Sequence, residues 1–390
     1  MSQPNAKLSS TIELARRLAA EFATRADEAD RLGRLPVEDV KALKESGYLS
    51  LSIPREFGGQ GLSLQSCVAA HMELAQGSGA TAMVAGMQLH IFGHAREVQP
   101  WPGDTWAWLG REAVQGGLFN NIASEPQLGS PSRGGLPSTT ATPTPAGGWL
   151  LNGHKTWSTG GQHLTHLLVS ARIEAEPALL LVRQATPGIE WVETWGDSLS
   201  FRASDSHDVY LRNVAVPAEH LLQRGAGPVT PNAWFPMLMS AVYLGTAMAA
   251  RNALIRFTLE RTPTALGQPI ATLPKIQRQL GEIDLALQAA RALLFEATGE
   301  WTGEPDNRRR VYPRLIAAKH LITETANEVT DKALRVAGGL SLTKALPLER
   351  YFRDVRAGLM QPPSGDTALE LIGQHALEEF KSQRSRANAG

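Results

Sequence analysis

Two places in this chain combine residue types and spacing that could do chemistry. His90 and His94, in HIFGH, stand four residues apart, which sets two imidazoles on one face of a helix. Metal pairs use that spacing, but a centre needs a third ligand, and the sequence offers no intervening Glu and no evident partner. The second place is Gln361 to Glu370, QPPSGDTALE. Pro362 and Pro363 cannot continue a helix, because neither offers an N–H and each pushes its predecessor out of the α region. The chain therefore turns sharply here, and Ser364 or Asp366 can cap the helix that follows. A polar elbow between two helices is a natural position for a group facing a cofactor. Asp366 is the carboxylate nearest its apex.

The elements that must carry these groups fall into three textures. From Ser10 to about Gln115 the apolar spacing is helical. Ile12, Leu14, Ala15, Leu18, Ala19 and Phe22 recur at threes and fours, and Pro36 and Gly47 bracket a second helix. LQSCVAAHMELAQGSGATAMVAGMQLHIFGH reads as two helices around Gly77 to Gly79. IPREFGGQGLS between them is Gly-rich but lacks phosphate-loop spacing. From about Gly116 to Gly227 the runs are short and rich in β-formers, with turn residues roughly every ten positions, the pattern of a sandwich or barrel. From about Pro231 the helical period returns. MLMSAVYLGTAMAARNALIRFTLER is apolar almost all round and predicts a buried helix. Two more long helices follow, and the set predicts an antiparallel bundle. The tail KSQRSRANAG predicts a frayed end.

Composition narrows the function classes. The 390 residues exceed what one small core needs, and Lys+Arg equals Asp+Glu at 38 each, so no basic footprint for nucleic acid or an anionic surface is expected. A single cysteine, Cys67, excludes an internal disulfide framework. With neither an apolar leader nor an uninterrupted apolar span, the expectation is a cytoplasmic protein without a membrane helix.

Five segments in order resemble the acyl-CoA dehydrogenase superfamily of flavoproteins. ESGYLSLSIPREFGGQGLS is similar to its N-terminal loop. ASEPQLGS resembles the T-E-P-x-x-G-S strand and turn, with Ser124 in place of Thr. LNGHKTWSTGG resembles N-G-x-K-x-W-I-T-N. RASDSHDVYLRNVAVPAEHLL is similar to the end of the family's β-domain, and GGLSLTKALPLERYFRDVRAG to its C-terminal glycine and arginine motif. The resemblance implies a mainly α protein with a central β-domain: an N-terminal helical domain (1–115), a β-barrel or sandwich (116–228) and a C-terminal four-helix bundle (229–390). It also implies FAD in the cleft between the last two, and a homodimer or homotetramer. By the same resemblance Ser124 meets the flavin pyrimidine, and Trp157 and Thr159 lie beside the ring near N5. Ser130 sits in a turn near substrate or pyrophosphate. Arg261 reaches a phosphate across a subunit boundary, while Gly338, Gly339 and Asp366 approach the adenosine half. Taken alone, Trp157 would be sheet core, Ser124 a turn residue, and Arg353 and Asp354 solvated charges.

The chain departs from the family at its base. Typical members take the α-proton of an acyl thioester with a glutamate in a Y-E-G-T-S-E turn. Counting back without gaps from Leu371-Ile372 puts Pro363 at that glutamate and Pro362 at the tyrosine. Some members carry the base on the first bundle helix, but Gly227 to Leu259 contains no Asp or Glu. Asp366 reaches the base position only in a turn shortened by about three residues, against the tight placement a general base requires. Three functions follow. The first is dehydrogenation at Cα–Cβ of an acyl thioester or related carbon acid, with a flavoprotein as electron acceptor. The second is a flavin monooxygenase using O2, in which His90 or His94 could face the flavin. The third is a catalytically silent flavin-binding homologue.

Overall fold

The computed structural model describes residues 3–128, 135–145, 147–227 and 230–389. Six helices open the chain: α1 (Gln3–Ala23), α2 (Ala26–Leu32), α3 (Val37–Glu45), α4 (Leu64–Ala75), α5 (Gly79–Val98) and α6 (Gly103–Val114). Ser63 and Ser78 cap α4 and α5, accepting from Ser66 N and Thr81 N, both at 3.2 Å. Each cap satisfies an amide that a helix start otherwise leaves open.

The eight strands are β1 (Phe119–Ile122), β2 (Thr140–Pro143), β3 (Trp149–Ser158), β4 (His166–Ile173), β5 (Glu176–Arg183), β6 (Ile189–Val192), β7 (His207–Val216) and β8 (Leu221–Arg224). They form one eight-stranded sheet in the order β6-β7-β3-β2-β4-β5-β8, with β1 added in parallel to β4. The β3–β7 ladder shifts register between Lys155 and Ser158. That irregularity places Trp157 with φ +55°, a left-handed conformation uncommon for a bulky residue.

The bundle consists of α7 (Trp234–Glu260), α8 (Pro274–Gly303), α9 (Arg308–Ala337) and α12 (Gly365–Ala389), with short α10 (Leu348–Asp354) and α11 (Ala357–Met360) before the last. α9 packs against α7, α8 and α12. α7 is long and apolar enough to cross a membrane, yet most of it is buried inside the protein, against α4, α5, α8 and α9. α12 continues through the tail, where a frayed end was expected. Nothing in KSQRSRANA breaks a helix before Gly390.

One contact explains how the helical layers interlock. Gly79, Gly86 and Gly93 recur every seven residues on α5. A Cβ there would lie 2.8 Å from Thr246 Oγ1, 2.7 Å from Met239 Cε and 2.1 Å from Trp234 Cε3 respectively. The glycine stripe lets antiparallel α7 seat directly against α5, in space that side chains would occupy.

Arg353 and Asp354 correct the reading of solvated charges. Asp354 is 2% exposed and accepts from Phe201 N at 2.7 Å, while Arg353 donates to Asp30 at 2.5 Å and Arg350 to Asp27 at 2.8 Å. The three residues tie α10 to α2 and to the β-domain loop. Burial raises the Asp354 carboxyl to about 7, against the opposing pull of Arg350 and the Phe201 amide. Sequence spacing shows an amphipathic helix here; only the fold reveals that its charged side is covered.

Candidate active site

The β-side of the site is built from the ends of β1 and β3. Thr156 N donates to Ser124 O at 3.0 Å, which sets the half-buried Ser124 beside the irregular turn of β3. The next residue, Glu125, is buried. Its carboxylate accepts from Lys155 Nζ at 2.7 Å, Thr139 Oγ1 at 2.6 Å, Ser138 N at 2.6 Å and Thr139 N at 3.0 Å. Burial by itself would raise this carboxyl, but the Lys155 and Thr139 hydrogen bonds outweigh it and hold it at about 2. Lys155, fully buried, also donates to Ser170 O at 2.5 Å. The ion pair thus pins β1, β3 and β4 behind the site, and leaves Trp157 standing out at 59% exposure. Thr159 is held from two sides: its carbonyl accepts from Asn120 Nδ2 at 2.9 Å, and its hydroxyl meets Ser206 Oγ at 2.9 Å, which meets Ser204 Oγ at 2.7 Å.

α5 forms the opposite wall. Met83, Met87, His90 and His94 share one face of the helix, between the glycine face that packs on α7 and Val84, whose methyl lies 3.5 Å from where a Gly160 Cβ would stand. The stripe therefore runs along the seam between the end of β3 and α7. His90 packs edge-on to Phe235, centroids 5.2 Å apart. Burial pushes His90 down to about 3 and His94 to about 4, so both imidazoles are neutral at physiological pH. The Nδ1 of each is buried without a hydrogen-bond partner. No cluster of three metal-ligating side chains includes them among the described residues.

The third wall is the elbow. Gln361 turns inward: its Oε1 accepts from the buried Tyr243 hydroxyl at 2.6 Å, and its Nε2 lies 3.8 Å from Met83 Sδ. The backbone behind it is held by one cation. Lys319 on α9 is 3% exposed, and its Nζ donates to Gly358 O at 3.0 Å, Gln361 O at 2.9 Å and Pro363 O at 2.8 Å. Burial pulls this ammonium down to about 8. Asp366 lies beyond the elbow, exposed in the first turn of α12.

Of the residues singled out from sequence, the fold thus gathers Ser124, Trp157 and Thr159 at one end of the sheet, where Gly160 lies against Val84 of α5. Arg261 is exposed at the far end of α7, about 40 Å along the helix from Phe235. Gly338 and Gly339 close α9, about 28 Å along it from Lys319. Gly338 has φ +67° and ψ −152°, a conformation essentially reserved for glycine, and a Cβ on either residue would meet nothing within 4 Å. Ser130 lies outside the described residues. Sequence reasoning missed Glu125, Tyr243, Lys319 and Gln361. Lys319 had a readable signal, because it interrupts the apolar stripe of Leu315, Ile316, Ala318 and Ile322 at core spacing.

The arrangement fits a flat, hydrogen-bonding cofactor. An exposed indole on a left-handed backbone offers a wall, the β3 irregularity takes strand amides out of the regular ladder, and the facing helix is apolar. Comparison with known proteins points the same way. The chain matches the models for the N-terminal, middle and C-terminal domains of acyl-CoA dehydrogenase at residues 8–97, 121–214 and 237–360. It is 37% identical to YdbM of Bacillus subtilis, which carries a provisional acyl-CoA dehydrogenase name, over 93% of this chain and 95% of that one. It is 29% identical to an L-evernosamine nitrososynthase from a Micromonospora species, over 93% and 87% of the two. Among solved structures, FMN-bound TdsC from a Paenibacillus species superposes with a TM-score of 0.86 at 23% identity, covering 95% of this chain and 98% of that one; at that identity the likeness is one of fold.

Proposed function

The chain belongs to the acyl-CoA dehydrogenase family, and within it we propose a flavin-dependent monooxygenase acting on an apolar substrate. The observation that carries this reading is the elbow. Counting back without gaps from Leu371-Ile372 sets Pro363 against the family's glutamate base and Pro362 against its tyrosine, and Lys319 backs this turn on three carbonyls. α7 contributes no acid before Glu260, at the end remote from Phe235. Abstracting a proton from carbon needs a base within hydrogen-bond reach of it, and Asp366 is exposed on α12. Oxygen transfer to an electron-rich substrate needs no such carboxylate.

When bound, FAD or FMN supplies a two-electron carrier that O2 or a hydride donor can address. The chain's own residues would do the rest. Trp157 would cover one edge of the ring, Ser124 and Thr159 would supply polar contacts at its rim, and Met83, Met87 and Phe235 would keep water from the substrate side. Neutral His90 offers a nitrogen that neither repels nor neutralises charge in the cleft. Arg261 and Gly338–Gly339 lie too far along their helices to share that ring and would hold the phosphate and adenosine portions if the flavin is FAD.

Dehydrogenation of an acyl thioester, with a flavoprotein acceptor, is the second reading, favoured by the identity to YdbM. The two separate cleanly. Anaerobic mixing of flavin-loaded protein with a panel of acyl-CoAs leaves the flavin absorption unchanged if the first reading holds. Reduced protein given 18O2 and an apolar, electron-rich phenol then places one labelled oxygen atom in the hydroxylated product and the other in water. Bleaching by any acyl-CoA, with a trans-enoyl product, would overturn the monooxygenase in favour of the dehydrogenase.

A further inference from the structure

The side chain of Gln361 has no role in the family comparison, yet its surroundings fix which way its amide points. Tyr243 is fully buried, and the partner of its hydroxyl is Gln361 Oε1, at 2.6 Å. With that oxygen engaged, the amide nitrogen faces Met83 Sδ at 3.8 Å. A thioether is a weak acceptor, so the N–H donors of Nε2 are poorly satisfied at the wall of the cleft. The reverse orientation would set an amide oxygen against the sulfur lone pairs. The same residue is held from behind, because its carbonyl is one of the three that accept from Lys319. Side chain and main chain are thus locked by different partners, Tyr243 from α7 and Lys319 from α9, and the donor Nε2 is engaged by nothing stronger than the Met83 thioether.

We infer that Gln361 donates a hydrogen bond to an oxygen atom of the substrate, so that the site selects apolar molecules bearing a carbonyl or hydroxyl oxygen, and that Lys319 is the positioning residue for this donor. The inference rests on reading the cleft as a flavin site. Its physical content is a change of sign. A base in the family's position must accept a proton, whereas this elbow offers one in a hydrogen bond to an acceptor on which electron density is concentrated. Such a contact stabilises an oxygen that gains negative charge. It also discriminates sharply, since a ligand without that oxygen leaves the donor unsatisfied beside methionine.

The test compares two probes of similar shape, 4-nitrophenol and nitrobenzene, binding to oxidised, flavin-loaded full-length protein under anaerobic conditions. Wild-type protein binds 4-nitrophenol more tightly, and the bound probe ionises at lower pH than the free one, read from its phenolate absorption. Gln361→Met weakens 4-nitrophenol about tenfold or more, leaves nitrobenzene within a factor of two to three, and removes the shift in ionisation. Gln361→Glu keeps an acceptor for Tyr243, and so preserves the fold if the methionine variant does not fold. It weakens the phenolate at least as much. Lys319→Met lowers 4-nitrophenol affinity in the wild-type background and changes nothing further in Gln361→Met, because it acts through that side chain. Equal affinity for both probes in the wild type would overturn the inference, as would a preference that survives Gln361→Met or parallel loss of both probes. The 18O experiment stands apart from these measurements. Label in product without a Gln361-dependent preference sinks only the donor, and a preference without label sinks only the monooxygenase.

Discussion

The two polar walls of the cleft are held by opposite electrostatic devices. Behind Trp157, a fully buried carboxylate and ammonium, Glu125 and Lys155, neutralise each other at 2.7 Å and satisfy their remaining hydrogen bonds on the Ser138 and Thr139 amides and the Ser170 carbonyl. Behind Gln361, the buried cation Lys319 meets no carboxylate at hydrogen-bond distance among the described residues and donates to three main-chain oxygens. The first wall is charge-paired and matches the family's motif. The second is built from main-chain carbonyls on an ammonium, with a side-chain amide in front. On the proposed reading, the wall that would hold the cofactor and the wall that would choose the reaction are anchored on separate elements, so one can change without the other.

The largest effect is expected where that pairing is broken from one side. Lys155→Met leaves Glu125 ionised and buried without its partner, and should lower unfolding free energy by about 3–5 kcal/mol, with loss of bound flavin, in denaturant titrations with flavin counted. Lys319→Met orphans three carbonyls at a half-buried elbow, where water can replace part of the loss. A decrease of about 2–4 kcal/mol is expected with flavin retained. Flavin loss in both variants alike would dissolve the contrast.

Acid and neutral pH separate the first wall from the rest of the fold through two buried carboxylates of opposite shift, Glu125 in that wall and Asp354 on α10, outside both walls. Glu125 titrates near 2 when folded, below its unfolded range, so its stabilisation is present above about 4.5 and disappears as pH falls toward 2. Asp354 titrates near 7 when folded, above its unfolded range, so the folded state holds that proton longer and stability declines as pH rises from about 4 to 7. Asp354→Asn, which keeps an acceptor for Phe201 N, should flatten this neutral limb by on the order of 1–3 kcal/mol and leave the acid limb intact. The smallest effect on stability is expected at Trp157. Its side chain is mostly exposed and its backbone left-handed, so Trp157→Gly should stabilise the fold by up to about 1 kcal/mol while weakening flavin binding at least tenfold, measured by thermal melting and flavin titration.

Much of the framework was legible because periodicity reports burial. The three textures, the apolar α7 and the strand runs carry their geometry in the spacing of side chains, and the family motifs mark the strand ends that bring Ser124, Trp157 and Thr159 together. The Gly79–Gly86–Gly93 stripe was equally present in the sequence, but its meaning depends on which helix seats against it. Arg353 and Asp354 were misread in isolation for the same reason: amphipathic spacing distinguishes two faces of a helix without saying whether α2 covers the charged one.

What the sequence determined by itself was the family and the order of helical, sheet and helical regions, and that the segment from Gly227 to Leu259 carries no acid. What only the tertiary structure decided was which residues meet at the elbow. Gln361, Tyr243, Lys319 and Met83 are separated by 40 to nearly 280 positions in the chain, and no local pattern couples them. Their meeting follows from the way α5, α7 and α9 pack, and packing is a property of whole faces. A proline-rich elbow alone signals a turn; a buried ammonium on its carbonyls makes that turn a rigid mount for a donor.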